Sequence, residues 1–159
     1  MFSIGDKVVY PMHGAGIIES IEEKEILGKK RKYYIMKMPL GDMKVMIPLD
    51  NVEDIGLREI ISLTEVEQVM AVLNDDISKM HMNWNRRYRA NMDRIKSGDI
   101  YEVAAVVRNL MLRDKDKGLS TGERKMLGNA KQILVSELVL ARGIDEKSAE
   151  ELINTAVQP

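Results

Sequence analysis

The spacing of apolar residues along this chain changes once, and the change divides the chain in two. Between residues 6 and 49 the apolar positions fall in short β-rich runs: Lys7-Val8-Val9-Tyr10, Gly16-Ile17-Ile18-Glu19-Ser20-Ile21, Tyr33-Tyr34-Ile35-Met36-Lys37-Met38 and Met43-Lys44-Val45-Met46-Ile47-Pro48. Pro11-Met12-His13-Gly14, Leu27-Gly28-Lys29 and Leu40-Gly41-Asp42 interrupt them. Short strands joined by tight glycine-containing turns, with no helical period, predict a small antiparallel sheet or SH3-like barrel. Tyr10, Tyr33 and Tyr34 read as packing residues of that barrel rather than as an aromatic cage.

From residue 60 the apolar period is 3.6. Thr64-x-x-Glu67 has the form of a capping box ahead of Val66, Val69, Met70 and Leu73, which share one helical face. Asp99-x-x-Glu102, introduced by Ser97-Gly98, starts a second stripe through Ile100, Val103, Ala104, Val107, Leu110 and Met111. Ser120-x-x-Glu123 opens a third helix facing inward with Leu127, Ala130, Leu134 and Leu138. Gly143 stops it, and Asp145 caps a last helix carrying Ala149, Leu152, Ile153 and Ala156. Asn74–Met82 fits either a loop or a weak helix. The expected fold is therefore α+β in two domains: a β-barrel over residues 1–54, then an all-α domain over residues 60–159.

Composition agrees with a globular chain and removes some chemistry. Hydrophobic residues make up 45% and charged residues 31%, enough apolar content to fold. With no cysteine there is no disulfide, thiolate zinc site or thiol nucleophile. No apolar run approaches the roughly 18 residues of a membrane span, and no signal peptide is visible at Met1–Asp6, so a cytoplasmic location without membrane contact is expected. The net charge of −1 hides an uneven distribution: residues 81–132 carry twelve Lys/Arg against six Asp/Glu. Such a surplus points to an anionic partner on one part of the surface, although solvated helices are often locally basic.

No constellation for catalysis stands out. His13 and His81 fall in different domains without a second metal ligand at a recognisable spacing. Asp75-Asp76 reads as a solvated turn, Leu27-Gly28-Lys29-Lys30 lacks the glycine-rich lead of a phosphate loop, and Gly14-Ala15-Gly16 is too short for a dinucleotide fingerprint. No enzyme activity, cofactor, metal or small-molecule substrate is expected.

The segment Asn83-Trp84-Asn85-Arg86-Arg87-Tyr88-Arg89-Ala90-Asn91-Met92 holds the sole tryptophan and three arginines within four residues. Guanidinium groups pair with phosphate oxygens, and an indole can stack on bases or wedge between them. Three arrangements stay open. Trp84, Tyr88 and Ile95 could form a core stripe with the cations on the solvent side. Asn85 could cap a helix that leaves Trp84 outside. Asn83 could cap with Trp84 at the first helical position.

This segment and its surroundings resemble the CarD family of bacterial RNA-polymerase-binding regulators. The likeness runs through Gly5-Asp6-x-Val8-Val9-Tyr10-Pro11-x-His13-Gly14, Trp84-x-Arg86-Arg87-Tyr88, Ser97-Gly98-Asp99, Val103-Ala104-x-Val106-Val107-Arg108-x-Leu110 and Gly118-Leu119-Ser120-x-Gly122-Glu123. The resemblance implies an N-terminal Tudor/SH3-like module, shared with transcription-repair coupling factors, that binds the β-subunit lobe of RNA polymerase partly by strand pairing. It implies a polymerase-facing side carrying Lys24, Ile26 and Met46. Some relatives have arginines at Lys24 and Met46; Lys24 keeps the charge and Met46 does not. It also implies that Trp84 packs into the minor groove at the upstream edge of the transcription bubble and stabilises the open promoter complex. Arg86, Arg87 and Arg89, with Arg124 and Lys125, would supply phosphate contacts to promoter DNA without reading its sequence. The competing reading is an adaptor that binds polymerase without touching DNA.

Overall fold

The computed structural model describes residues 1–158. The N-terminal unit contains β1 (Lys7–Tyr10), β2 (Gly14–Ile26), β3 (Lys29–Lys37) and β4 (Lys44–Pro48). A 3-10 turn (Leu49–Asn51), the short helix α1 (Val52–Ile55) and β5 (Arg58–Glu59) complete it. All pairings are antiparallel, in the order β4-β3-β2-β1-β5. The sheet is the small antiparallel unit expected, with β4 and β5 at its two ends. Beyond residue 54, β5 pairs with β1, and Leu57 packs in the sheet's own core.

One face of the sheet buries Val8, Ile18, Tyr34, Met36 and Ile47. A bulge in β2 keeps this face apolar. Ile18 pairs with Met36 and Ser20 with Ile35, leaving Glu19 over. The extra residue flips the alternation, so Ile21 lies on the same face as Ile18 while Ser20 turns to the other side. That other face begins at Val9, Ala15 and Ile17, and Leu140 of the helical unit covers it there.

The helical unit consists of α2 (Leu63–Leu73), α3 (Trp84–Lys96), α4 (Ile100–Asp116), α5 (Thr121–Arg142) and α6 (Glu146–Ala156). Asp99, Ser120 and Asp145 cap α4, α5 and α6 as the sequence predicts, and Gly143 ends α5 in a left-handed conformation at φ 66°. The box on α2 differs. Ser62 and Glu65 form it reciprocally, two residues before the expected Thr64 and Glu67. Residues 74–83 form no helix and are tied down by Arg108, which donates to the Val72 carbonyl and the Ser78 hydroxyl.

Helix α5 joins the two units. At 1.5 Å per residue its 22 residues span about 33 Å. Its C-terminal half grips the sheet: Ala15 N–H donates to Ser136 Oγ at 2.8 Å and Lys7 Nζ to the Leu140 carbonyl at 3.3 Å. Gly14 lets the backbones meet, since a Cβ there would stand 2.7 Å from Ser136 Oγ. Arg58 closes the junction with a two-pronged pair to Glu137, at 2.9 and 2.8 Å.

Candidate nucleic-acid interface

Asn83 caps α3 by accepting from Arg86 N–H at 3.1 Å, which puts Trp84 at the first helical position. Of the three arrangements open in the sequence, this is the one found. The indole is 41% exposed, neither sealed in the core nor free. It stacks on Tyr88 with ring centroids 5.0 Å apart and an interplanar angle of 20°. Its Nε1–H donates to Ser120 Oγ at 2.9 Å. Beneath it lies Gly122, where a Cβ would come within 3.3 Å of Trp84 Cζ2. The N-terminus of α5 is thus the bed on which the indole rests.

The arginines divide. Arg86 and Arg89 are exposed on α3 and make no ion pair with any described residue. Arg87 must be withdrawn from the expected phosphate contacts, because it is only 5% exposed. Its Nε and Nη2 donate to Glu123 at 2.8 and 3.2 Å, and its Nη1 donates to the carbonyls of His81 and Met82. These bonds join α3, α5 and the segment before α3. Burial pushes the Glu123 carboxyl up. The hydrogen bonds and charge of Arg87, with the Ser120 contacts, outweigh burial and hold it below the ordinary carboxylate value.

Arg124 and Lys125 also part company. At 100° per residue Arg124 lies roughly 160° around α5 from Gly122, and it pairs with Asp114 at 3.3 Å. Lys125 is exposed and lies within about 60° of Gly122. The basic surplus of this region is smaller at the surface than in the sequence by Arg108, which is buried without an ion pair to any described residue, and by Lys131, which pairs with Glu150 outside residues 81–132. The buried Arg87 and the paired Arg94 take Glu123 and Glu102 with them and leave it unchanged.

The three residues expected on the polymerase side stand together on the sheet. Lys24 pairs with Arg31, Ile26 with Lys29 and Met46 with Ile35, so all three lie on the face away from the Tyr34 core, beyond the part α5 covers. All three are exposed, and Lys24 has a surface ion pair to Glu22 at 3.5 Å, a contact worth little in water. Strand β4 is an edge. Met38 N–H donates to the Met43 carbonyl, which fixes the ladder's alternation: the backbone groups of Val45 and Ile47 turn to β3, and those of Lys44 and Met46 turn outward.

Sequence reasoning placed Tyr88 beside Trp84 in one of its three arrangements, but did not single out Ser120, Gly122 and Glu123 as parts of the indole site. Ser120-x-x-Glu123 was legible as a helix start; its second task, holding a residue 36 positions away, was not. His13 is occupied locally, with its ring 4.1 Å from that of Tyr10. Among the described residues no group of three or more His, Asp or Glu could hold a metal ion, and no helix is long and apolar enough to cross a membrane.

Residues 2–61 match the family described as CarD-like/TRCF RID domain, and residues 68–154 match CarD, C-terminal domain. The two matches take in both structural units in order. The chain belongs to the CarD family. A relative named "Putative transcription factor YdeB", from Bacillus subtilis (strain 168), is 46% identical over 147 residues, covering 92% of this chain and 96% of that protein. As a CarD-family member the chain is a transcription factor, not an enzyme, and its N-terminal unit is the RNA-polymerase-interaction domain. RNA polymerase is accordingly its partner.

Proposed function

We propose that this CarD-family protein docks on the β-subunit lobe of RNA polymerase through the β4 edge and the Lys24–Ile26–Met46 face. Trp84 then meets promoter DNA at the upstream edge of the bubble. The observation that carries this reading is the half-exposed indole on a built bed, with Arg86, Arg89 and Lys125 exposed on the two helices that frame it. An apolar ring beside flexible cations suits a wedge at a deformed base step, with phosphates held on either side and no base read by hydrogen bonds. A protein that binds the open complex better than the closed one shifts promoters toward open.

Trp84→Ala shortens the open-complex lifetime about tenfold, equivalent to a preference of about 1.4 kcal/mol, while polymerase binding is kept. Filter retention of open complexes after competitor challenge measures it. An unchanged lifetime with a folded variant would sink the reading.

The docking half has its own test. Met46→Pro removes an outward N–H from an edge strand while leaving the β3–β4 ladder intact, so it blocks strand addition without unfolding the sheet. Polymerase binding measured by co-sedimentation falls at least about tenfold, since a partner strand loses a main-chain hydrogen bond and meets the proline ring. Unaltered binding removes the edge from the interface.

A second reading, the adaptor that never touches DNA, draws support from the burial of Arg87 and the pairing of Arg124 with Asp114. Promoter opening that survives joint replacement of Arg86, Arg89 and Lys125 by glutamine would select it.

A further inference from the structure

We infer that Ser120 is a positioning residue that sets the orientation in which Trp84 meets DNA; this rests on the reading that Trp84 does so. An exposed indole at the first position of a helix has two side-chain torsions to settle. Three contacts settle them here. Tyr88 covers one ring face. Gly122 leaves room for the ring edge at Cζ2 and Cη2. Both contacts are apolar and would tolerate a sliding or flipped ring. The bond from Nε1–H to Ser120 Oγ at 2.9 Å is directional and singles out one orientation.

Ser120 is itself held fast. Its Oγ accepts from Glu123 N–H at 3.1 Å and donates to Glu123 Oε1 at 3.2 Å, and Glu123 is locked by Arg87. A relay of four side chains thus runs from a buried ion pair to the exposed ring. It has a chemical consequence. With Nε1, Cζ2 and Cη2 turned to α5, the ring presents its opposite edge and the face away from Tyr88. The single donor of the indole is occupied within the protein, so its contact with DNA is stacking and apolar packing, which any base can receive.

The experiment uses the full chain with polymerase and a promoter. It reads open-complex lifetime alongside emission anisotropy of the sole tryptophan. Ser120→Gly deletes the hydroxyl, yet glycine is a tolerable N-cap, differing from serine by only a few tenths of a kcal/mol. The lifetime falls about two- to tenfold, the range for one hydrogen bond, and the anisotropy drops. Ser120→Thr keeps a hydroxyl and restores both. In a Trp84→Phe background, which has no N–H, Ser120→Gly causes no further loss of lifetime.

The inference is overturned if Ser120→Gly leaves lifetime and anisotropy unchanged, or if it shortens the lifetime equally in the phenylalanine background. If Trp84→Ala shortens the lifetime and Ser120→Gly does not, only the positioning role falls. If Trp84→Ala itself has no effect, the DNA reading falls and takes this inference with it.

Discussion

Glu123→Ala lowers the unfolding free energy by about 3–5 kcal/mol, the usual effect of removing one partner from a buried ion pair. Arg87 is 5% exposed and Glu123 2%, so the guanidinium left behind has neither water nor a counter-charge. The magnitude comes from that stranded cation more than from the attraction lost. Replacing both residues with methionine therefore costs much less than replacing Glu123 alone. Urea denaturation followed by circular dichroism reads both variants. A loss under about 1 kcal/mol for Glu123→Ala would mean that Arg87 finds water or another partner.

The same pair makes stability depend on acid in a definite direction. Glu123 titrates lower in the folded protein than in the unfolded chain, because Arg87 and Ser120 favour its charged form more than burial opposes it. Its contribution is then complete above the unfolded value of about 4.3, and is lost as pH falls through that value toward the folded one. The stability gap between the natural chain and Glu123→Gln is accordingly constant near neutrality and narrows below about pH 4.

Glu137→Ala has the second-largest expected effect, about 3 kcal/mol, at the lower end for a buried pair because Arg58 keeps some contact with water. Glu137 is fully buried and receives three hydrogen bonds: two from Arg58 and one from Ile61 N–H at 2.9 Å. The first two join the sheet to α5, and the third fixes the chain where α2 begins. The variant also loosens the relation between the polymerase-facing sheet and the indole at the far end of α5. Calorimetry of the full chain shows the lower stability, and on the function proposed above the open-complex lifetime falls although neither proposed surface has been altered. A lifetime unchanged from the natural chain would mean that the spacing along α5 does not matter.

Much of the architecture could be read from local pattern. Strand alternation, the caps at Asp99, Ser120 and Asp145, and the stop at Gly143 depend on residues within a few positions of one another, which is the reach of backbone sterics and capping. The start of α2 shows where that reach ends. Ser62-x-x-Glu65 and Thr64-x-x-Glu67 interleave, and period alone does not choose between them. In the fold the Ser62 box forms where Glu137, 76 residues away from Ile61, accepts from the Ile61 N–H and anchors the chain immediately before Ser62.

The candidate site divides the same way. Local pattern alone placed an indole and several guanidiniums within one short segment, and a β-unit ahead of a helical one. Family motifs added the expectation of a polymerase partner. Which guanidinium faces water was a tertiary decision. Arg87 stands on the same helical side as Asn91 and Ile95, four and eight residues on, yet a cation is placed inward only when a counter-charge waits there. Glu123 supplies it from another helix. Trp84 is half-exposed because Tyr88, Gly122 and Ser120 converge on it from two helices. Contacts between residues distant in sequence depend on how the helices pack, and no local period encodes that.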